Sequence, residues 1–161
     1  MNTKASSNDF FLTENRWALK LFASKSPTHV LVFTIPMMIL MSYIFLQGQM
    51  STPSVAIALV LGAFYWSFVE YLIHRFYFHW HPRNKFIRRL VDSFHIYHHQ
   101  NPEDMKVINS GPLTAFVGLF FHYGIWLIFT GGNIYYSAAI VFGLLITYSF
   151  YEWVHYSVHH K

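Results

Sequence analysis

The chain has 161 residues, of which 54% are hydrophobic and 20% aromatic, while only 11% are charged, against about 25% in an ordinary soluble domain. Its uncharged stretches are too long and too numerous to be buried inside one soluble domain of this size, so we expect a bilayer to cover them. Cysteine is absent, which excludes disulfides, thiolate metal sites and cysteine nucleophiles, and the net charge of +4 is not gathered into the basic face that a nucleic-acid partner requires.

The N-terminal residues 1–27 carry the pattern of an amphipathic helix. Apolar residues recur at helical spacing, and these are Phe10, Phe11, Trp17, Ala18, Leu21 and Phe22. Such a helix lies in the membrane interface rather than across the membrane. It is not a secretory signal, because Asp9, Glu14 and Arg16 interrupt any apolar run. We therefore divide the chain into an N-terminal interfacial segment, residues 1–27, and a four-span membrane domain, residues 28–161.

Four apolar segments follow, each long enough to cross a bilayer as a helix of about 20 residues. They cover approximately residues 29–47, 53–78, 112–130 and 134–159. Helix-breaking residues separate the first two at Gly48 and the last two at Gly131 and Gly132. The sequence thus predicts an all-α integral membrane fold, in which four transmembrane helices form two hairpins.

The positive charges predict the orientation of these helices. Cations precede the first span and follow the second and fourth, while the two short turns contain none; they are Lys4, Arg16, Lys20, Lys25, Arg75, Arg83, Lys85, Arg88, Arg89, Lys106 and Lys161. Because cytoplasmic loops carry the excess of Lys and Arg, we expect both termini and the middle loop to be cytoplasmic. The second and fourth spans are longer than a bilayer requires, and their ends would form a cytoplasmic histidine-rich cap. We favour the bacterial cytoplasmic membrane, with the endoplasmic reticulum membrane as the alternative.

Eight of the eleven histidines fall into three groups near the cytoplasmic ends of the predicted spans. The groups are His74 with His79; His95, His98 and His99; and His155, His159 and His160. Each residue advances an α-helix by about 100°, so one helix can direct the whole second group at a single point. The pair His155 and His159 also shares one face. By contrast, His79 lies about 140° from His74 on an α-helix, so either the helix unwinds after Tyr77 or the two histidines bind different metals.

The three groups predict a metal centre. Neutral imidazole is a strong ligand for iron, copper and zinc. Eight candidates exceed the three or four ligands of a single zinc site, so the count favours two metal ions. Glu70, Glu152 and Asp92 are spaced to hold the second ring nitrogen of a ligating histidine, as carboxylates commonly do. We expect no catalytic residue beyond the metal ligands.

Three stretches resemble the histidine boxes of the fatty acid hydroxylase and sterol desaturase superfamily. They are residues 70–79 (EYLIHRFYFH), 95–99 (HIYHH) and 151–159 (YEWVHYSVH). The resemblance covers about residues 65–160, and residues 100–112 resemble the loop of the fatty acid 2-hydroxylase-like branch, with carotenoid hydroxylases the next closest. It implies a membrane enzyme with two non-haem iron ions, or zinc in a purified sample, that uses O2 to hydroxylate or desaturate a lipid. It also implies a separate electron-donor protein, for which the loop 79–111 would be the docking site.

One part of the family pattern is missing. In the 2-hydroxylase-like branch a further histidine group follows the third box, whereas this sequence ends at Lys161. If the full set is required, either ligands have been lost or His160, His81 or His122 takes the place of that group. The second hypothesis is therefore a non-enzymatic membrane protein, either an inactive or truncated remnant of the family or a metal-binding module.

Overall fold

The structure, a computed structural model, describes residues 10–101 and 104–159, without the side chains of Phe11 and Glu14. Most of these residues are helical. The helices are α1 (Phe11–Glu14), α2 (Arg16–Phe22), α3 (Pro27–Leu46), α4 (Thr52–Leu72), a π-helical turn (Ile73–Phe78), α5 (Lys85–Phe94), α6 (Ile96–Gln100), a 3-10 turn (Met105–Val107), α7 (Pro112–Phe129) and α8 (Ile134–His159). Two short strands, β1 (Ala23–Ser24) and β2 (Asn109–Ser110), form an antiparallel pair.

Four of the helices are long and apolar enough to span a membrane, which confirms the predicted count. They are α3, α4 with its π-helical turn, α7 and α8. Proline stands in the first turn of α3, α4 and α7, where its missing N–H has no intrahelical partner to lose. Before α8 the chain turns through Gly131 and Gly132, whose φ angles of 64° and 85° favour glycine. These helices therefore begin near the predicted residues, and the chain reverses direction near the predicted turns.

α8 is the central helix of the bundle. Half of the residues in its most apolar 18-residue stretch are buried, whereas the buried share of the corresponding stretch is 11–22% in the other three spans. It packs extensively against α3 and α4 and less against α7. Large side chains on the outside of the bundle, such as Ile39, Phe64 and Phe121, are more than half exposed, as expected of a surface covered by lipid rather than water. The other three spans therefore pack around α8.

Small residues allow α4 and α8 to pack backbone against backbone. Ala58 and Gly62 on α4 are four residues apart, as are Ala139 and Gly143 on α8, and all four are buried. A Cβ atom at Gly62 would lie 1.9 Å from the carbonyl oxygen of Ile140, and one at Gly143 would lie 2.3 Å from that of Leu59. Such spacing of small residues is a common means of close helix packing in membranes, and here it fixes the helices that carry the first and third histidine groups.

Over its described part, residues 10–27, the N-terminal segment forms two short helices instead of the single amphipathic helix that the sequence predicts. The side chain of Asn15 accepts hydrogen bonds from the amides of Trp17 (3.0 Å) and Ala18 (3.1 Å), so it caps a new helix at this point. Before the cap, Leu12 is fully buried and its amide donates to the Ser93 hydroxyl on α5 at 3.3 Å. Trp17, in contrast, is 75% exposed. The segment thus docks on the histidine-bearing cap while one side of α2 stays uncovered.

The β1–β2 pair joins this segment to the loop before α7. Ala23 pairs with Ser110, and the Gly111 amide donates to the Phe22 carbonyl at 2.9 Å. A Cβ atom at Gly111 would approach the Phe22 carbonyl carbon to 2.4 Å, so only glycine allows this contact. The Asn109 side-chain amide donates to the Glu152 carbonyl on α8 at 2.9 Å. Residues 22–24, the loop and α8 are therefore held together beside the third histidine group.

Candidate metal centre

The π-helical turn brings together the two histidines of the first group. In a π-helix the hydrogen bonds join residues i and i+5, so five residues make roughly one turn. His74 and His79 are five residues apart and span this turn, and their ring centroids lie 5.4 Å apart. The helix therefore widens and then ends at Phe78, with His79 as its non-helical C-cap, and the geometry requires no separate metal for each histidine.

The second group lies at a break between α5 and α6. His95 ends α5 with φ −137° and ψ −53°, and α6 begins at the next residue. His95 and His98 are both only 2% exposed, whereas His99 is exposed. The three side chains offer nitrogen atoms within 4.8 Å of one another. The sequence prediction that these three histidines share one point is therefore matched by their geometry, although His95 caps the helix rather than lying inside it.

The described histidines of the third group come from the last turns of α8. The rings of His155 and His159 lie 5.0 Å apart, and each is 5.2 Å from the ring of His98. These three residues again offer nitrogens within 4.8 Å of one another. His160, the last predicted ligand, lies outside the described residues.

The three groups form one continuous cluster because the second group contacts both of the others. His95 lies 4.4 Å from His74 between ring centroids, and 4.9 Å from His98. Among the described residues, three sets of histidines are close enough to hold an ion: His74, His79 and His95; His95, His98 and His99; and His98, His155 and His159. The two outer sets share no residue, so the cluster offers enough nitrogen atoms for two ions.

The chemistry of the cluster fits metal ligation. Both ring nitrogens of the buried His98 lack a hydrogen-bond partner among the residues that the structure describes, although a buried polar group without one is costly. Burial, followed by the effect of the nearby His155, lowers the pKa of His98 to about 2. Burial and the neighbouring His99 lower the pKa of His95 to about 3. Both rings are therefore neutral at pH 7 and carry the lone pair that a metal ion needs.

Of the three predicted carboxylates, Glu70 contacts a histidine. Its Oε1 lies 3.5 Å from Nδ1 of His74, one turn away on the same helix. Asp92 lies 3.5 Å from Nε of Arg88, and the buried Glu152 accepts from the Ser110 amide at 3.4 Å. Asp92 thus pairs with a residue of its own helix, and Glu152 binds the loop before α7. That either carboxylate holds the second ring nitrogen of a ligating histidine stays a prediction.

A small cavity of about 50 Å³ adjoins the cluster. Its polar wall includes His95, His98 and His155, and its apolar wall includes Phe22, Phe78 and Phe94. The sequence did not single out Phe22 as a site residue, because its position beside the cluster depends on the β1–β2 pairing. His122, in contrast, lies outside the three sets and shares a 2.8 Å hydrogen bond with the Tyr65 hydroxyl.

The chain is similar to known lipid hydroxylases over most of its length. A family model described as fatty acid hydroxylase matches residues 59–161. The mouse fatty acid 2-hydroxylase is 37% identical over 118 residues, which cover 70% of this chain and 30% of that protein. The ceramide very long chain fatty acid hydroxylase of Schizosaccharomyces pombe is 32% identical over 127 residues, or 74% of this chain and 35% of that protein. A dihydroceramide fatty acyl 2-hydroxylase of Arabidopsis thaliana is 31% identical over 112 residues, or 68% and 46%.

The chain spans between 30% and 46% of the length of these three relatives. No solved structure matches it significantly.

Proposed function

The chain belongs to the fatty acid hydroxylase family, and on this basis we propose that it hydroxylates the acyl chain of a membrane lipid at a pair of iron ions, with O2 as co-substrate. The proposal is supported mainly by the convergence of seven described histidines from the π-helical turn, the α5–α6 junction and α8. Bound iron would supply the activation of O2, which amino-acid side chains do not provide.

We assign one ion to His74, His79 and His95 and the other to His98, His155 and His159, because these two sets share no residue. His99 stands between them, with its Nε2 atom 3.0 Å from Nε2 of His95. His160 remains a predicted ligand from its sequence position alone. Zinc is the alternative metal, since imidazole binds both ions well.

The side chains around the ligands would orient them and exclude water. The Glu70 carboxylate, 3.5 Å from Nδ1 of His74, would hold that ring with its Nε2 atom free for the metal. The apolar wall of the small cavity, which includes Phe22 and Phe94, would hold an acyl carbon near the centre and keep water away from it. The protein's own part in the reaction is therefore positioning.

The names of the relatives support an acyl substrate and the 2-position. The mouse relative is a fatty acid 2-hydroxylase and the relative from Arabidopsis thaliana is a dihydroceramide fatty acyl 2-hydroxylase. We therefore propose 2-hydroxylation of a fatty acyl chain, with desaturation as the alternative outcome at the same centre. A separate protein would donate the electrons, and the loop 79–111 is its proposed docking site.

We further propose that the histidine cap faces the cytoplasm. The Lys and Arg distribution supports cytoplasmic termini, and the bacterial cytoplasmic membrane is the favoured location. In this arrangement residues 1–27 form the interfacial segment and residues 28–161 form the membrane domain.

A single pair of variants tests the proposal. His98→Ala removes a ligand that is buried and unpaired, while His81→Ala removes an exposed histidine outside the three sets. We expect wild type and His81→Ala to contain about two iron ions per chain and to produce 2-hydroxylated lipids in expressing cells. His98→Ala should lose at least one ion and the hydroxylated product. Elemental analysis and lipid mass spectrometry measure the two quantities on the same cultures.

The outcomes separate the two functional hypotheses. Metal in the wild type without any change in lipid composition would favour the non-enzymatic metal-binding protein. Wild-type protein without metal would contradict the hydroxylase and the metal-binding protein alike, and would favour an inactive remnant of the family. Equal metal content in His98→Ala and His81→Ala would contradict the ligand assignment.

A further inference from the structure

A second and larger cavity, of about 650 Å³, lies where β1 leads into α3. Basic residues dominate its lining, together with a few small or apolar ones: Arg16, Leu19, Lys20, Ala23, Ser24, Lys25, His29 and Lys106. The lining that the structure describes contains no carboxylate. The cavity is separate from the cavity beside the histidine cluster, with which it shares no lining residue.

Most of the positive charge around this cavity is not neutralised by nearby acids. Lys106 lies 2.9 Å from the Asp104 carboxylate, and Lys20 lies 5.3 Å from the centre of the Trp17 ring. Within the described part of the chain, Arg16 and Lys25 form no ion pair with a carboxylate. The cavity therefore presents a net positive surface that favours an anionic occupant.

The cavity also has a polar group that is fixed in position. Ser24 is only 2% exposed, and its hydroxyl lies 2.8 Å from Nδ1 of His29. This contact orients the imidazole at the start of α3, where the helix dipole adds further positive potential. The lining therefore includes a hydrogen-bonded pair, Ser24 and His29, in addition to the Lys and Arg side chains.

The position of the cavity indicates which anion it takes. α3 is a candidate membrane span that begins at Pro27, so the cavity lies at one end of the hydrocarbon layer. Trp17 and Leu21 on α2 are 75% and 44% exposed, as expected for side chains at the membrane interface. Leu19 and Ala23 give the cavity an apolar side. An occupant at this depth has an anionic group next to an apolar one.

We propose that this cavity binds the phosphate headgroup of an anionic phospholipid. The phosphate contacts Lys20, Lys25 and Arg16, and the glycerol and upper acyl carbons lie against Leu19. Basic pockets beside transmembrane helices bind such headgroups in other membrane proteins. The bound lipid joins α2 to α3 and thereby steadies residues 22–24, which separate this cavity from the histidine cluster. The proposal does not depend on the hydroxylase activity.

Lipid binding to charge-removed variants tests the proposal. The test variant is Lys20→Gln with Lys25→Gln, and the control is Arg83→Gln with Lys85→Gln, which removes two exposed cations elsewhere on the same side of the membrane. Native mass spectrometry of the detergent-purified chain, titrated with phosphatidylglycerol or phosphatidylcholine, gives the apparent affinities. We expect the test variant to bind phosphatidylglycerol about 30-fold more weakly than wild type, since each cation near the surface contributes about 1 kcal/mol. The control should change the affinity less than about threefold.

Four further results decide the outcome. A charge-preserving variant, Lys20→Arg with Lys25→Arg, should bind like wild type, which distinguishes lost charge from misfolding. Equal losses in the test and control variants would overturn the proposal in favour of general surface charge. Equal binding of the two lipids by wild type would also overturn it. Displacement of phosphatidylglycerol by an equal concentration of inorganic phosphate would assign the cavity to a soluble anion and overturn the lipid assignment.

Discussion

Replacing Gly62 with alanine should separate α4 from α8 and disturb the metal centre. The new Cβ atom would lie 1.9 Å from the Ile140 carbonyl oxygen, whereas real Cβ contacts are essentially never under 3.0 Å, so the helices must move apart by roughly 1 Å. The obstacle is backbone, which cannot rotate away as a side chain would. Overpacking of this kind costs about 1–3 kcal/mol, or roughly 3–9 °C in melting temperature for a chain of this size.

The same displacement should reach the histidines, because α4 leads into the first group and α8 carries the third. A misplacement of about 1 Å can lower catalytic rate about 100-fold, so we expect hydroxylated lipid to fall by that order. Gly124→Ala on α7 is the matched control, since a Cβ atom there meets nothing within 4 Å and alanine favours a helix by about 1 kcal/mol. Thermal melting in detergent, iron content and lipid analysis provide the assay. If Gly62→Ala melts at the same temperature as Gly124→Ala, the inferred backbone contact is refuted.

Three other changes test separate parts of the structure. Tyr97→Phe removes the 2.5 Å hydrogen bond to the Asp104 carboxylate and should lower the free energy of unfolding by about 1.5–3 kcal/mol; an unchanged thermal melting curve would contradict this. Phe22→Ala enlarges the small cavity, so its products should include bulkier acyl chains while the iron content is unchanged. The control, Leu21→Ala on the exposed side of α2, should give the same products as wild type. An alanine inserted after Phe76 turns His79 away from His74 and should remove one ion per chain, and full retention of iron would show that the π-helical turn does not set the ligand geometry.

The spans and the third histidine group could be predicted because they depend on local regularities. Mean hydropathy over about 20 residues identifies a membrane span, whichever helices pack against it. The spacing of His155 and His159 gives their relative direction as long as the backbone stays α-helical. These predictions require no knowledge of the tertiary structure, and the helices of the structure agree with them.

The π-helical turn was not predicted, because the angle of about 140° between His74 and His79 holds only for α-helical pitch. The choice between i+4 and i+5 hydrogen bonding depends on small energy differences that packing decides. A signal was nevertheless present, since the five-residue spacing of His74 and His79 matches one π-helical turn. A requirement that both rings bind one ion would have predicted a departure from α-helical geometry between the two histidines.

The docking of the N-terminal segment depends on contacts between distant residues. Leu12 and Ser93 are 81 residues apart, and no local pattern predicts such a pair. The split at Asn15 could have been predicted, since asparagine is a preferred N-cap residue. The small residues Ala139 and Gly143 could also have indicated that another helix packs closely against α8.

The crossing of α4 and α8 has a consequence for how the protein tolerates membranes of different thickness. His74 lies twelve residues beyond Gly62, and His155 lies twelve residues beyond Gly143, so both histidine groups stand roughly 18 Å from the point of closest contact. Helices adapt to a thinner bilayer by tilting. The two helix segments between this contact and the histidines have equal length. When the helices tilt together about the contact, their histidine-bearing ends therefore move by equal amounts. The distance between the two ligand sets is then conserved while the helices change their angle to the membrane.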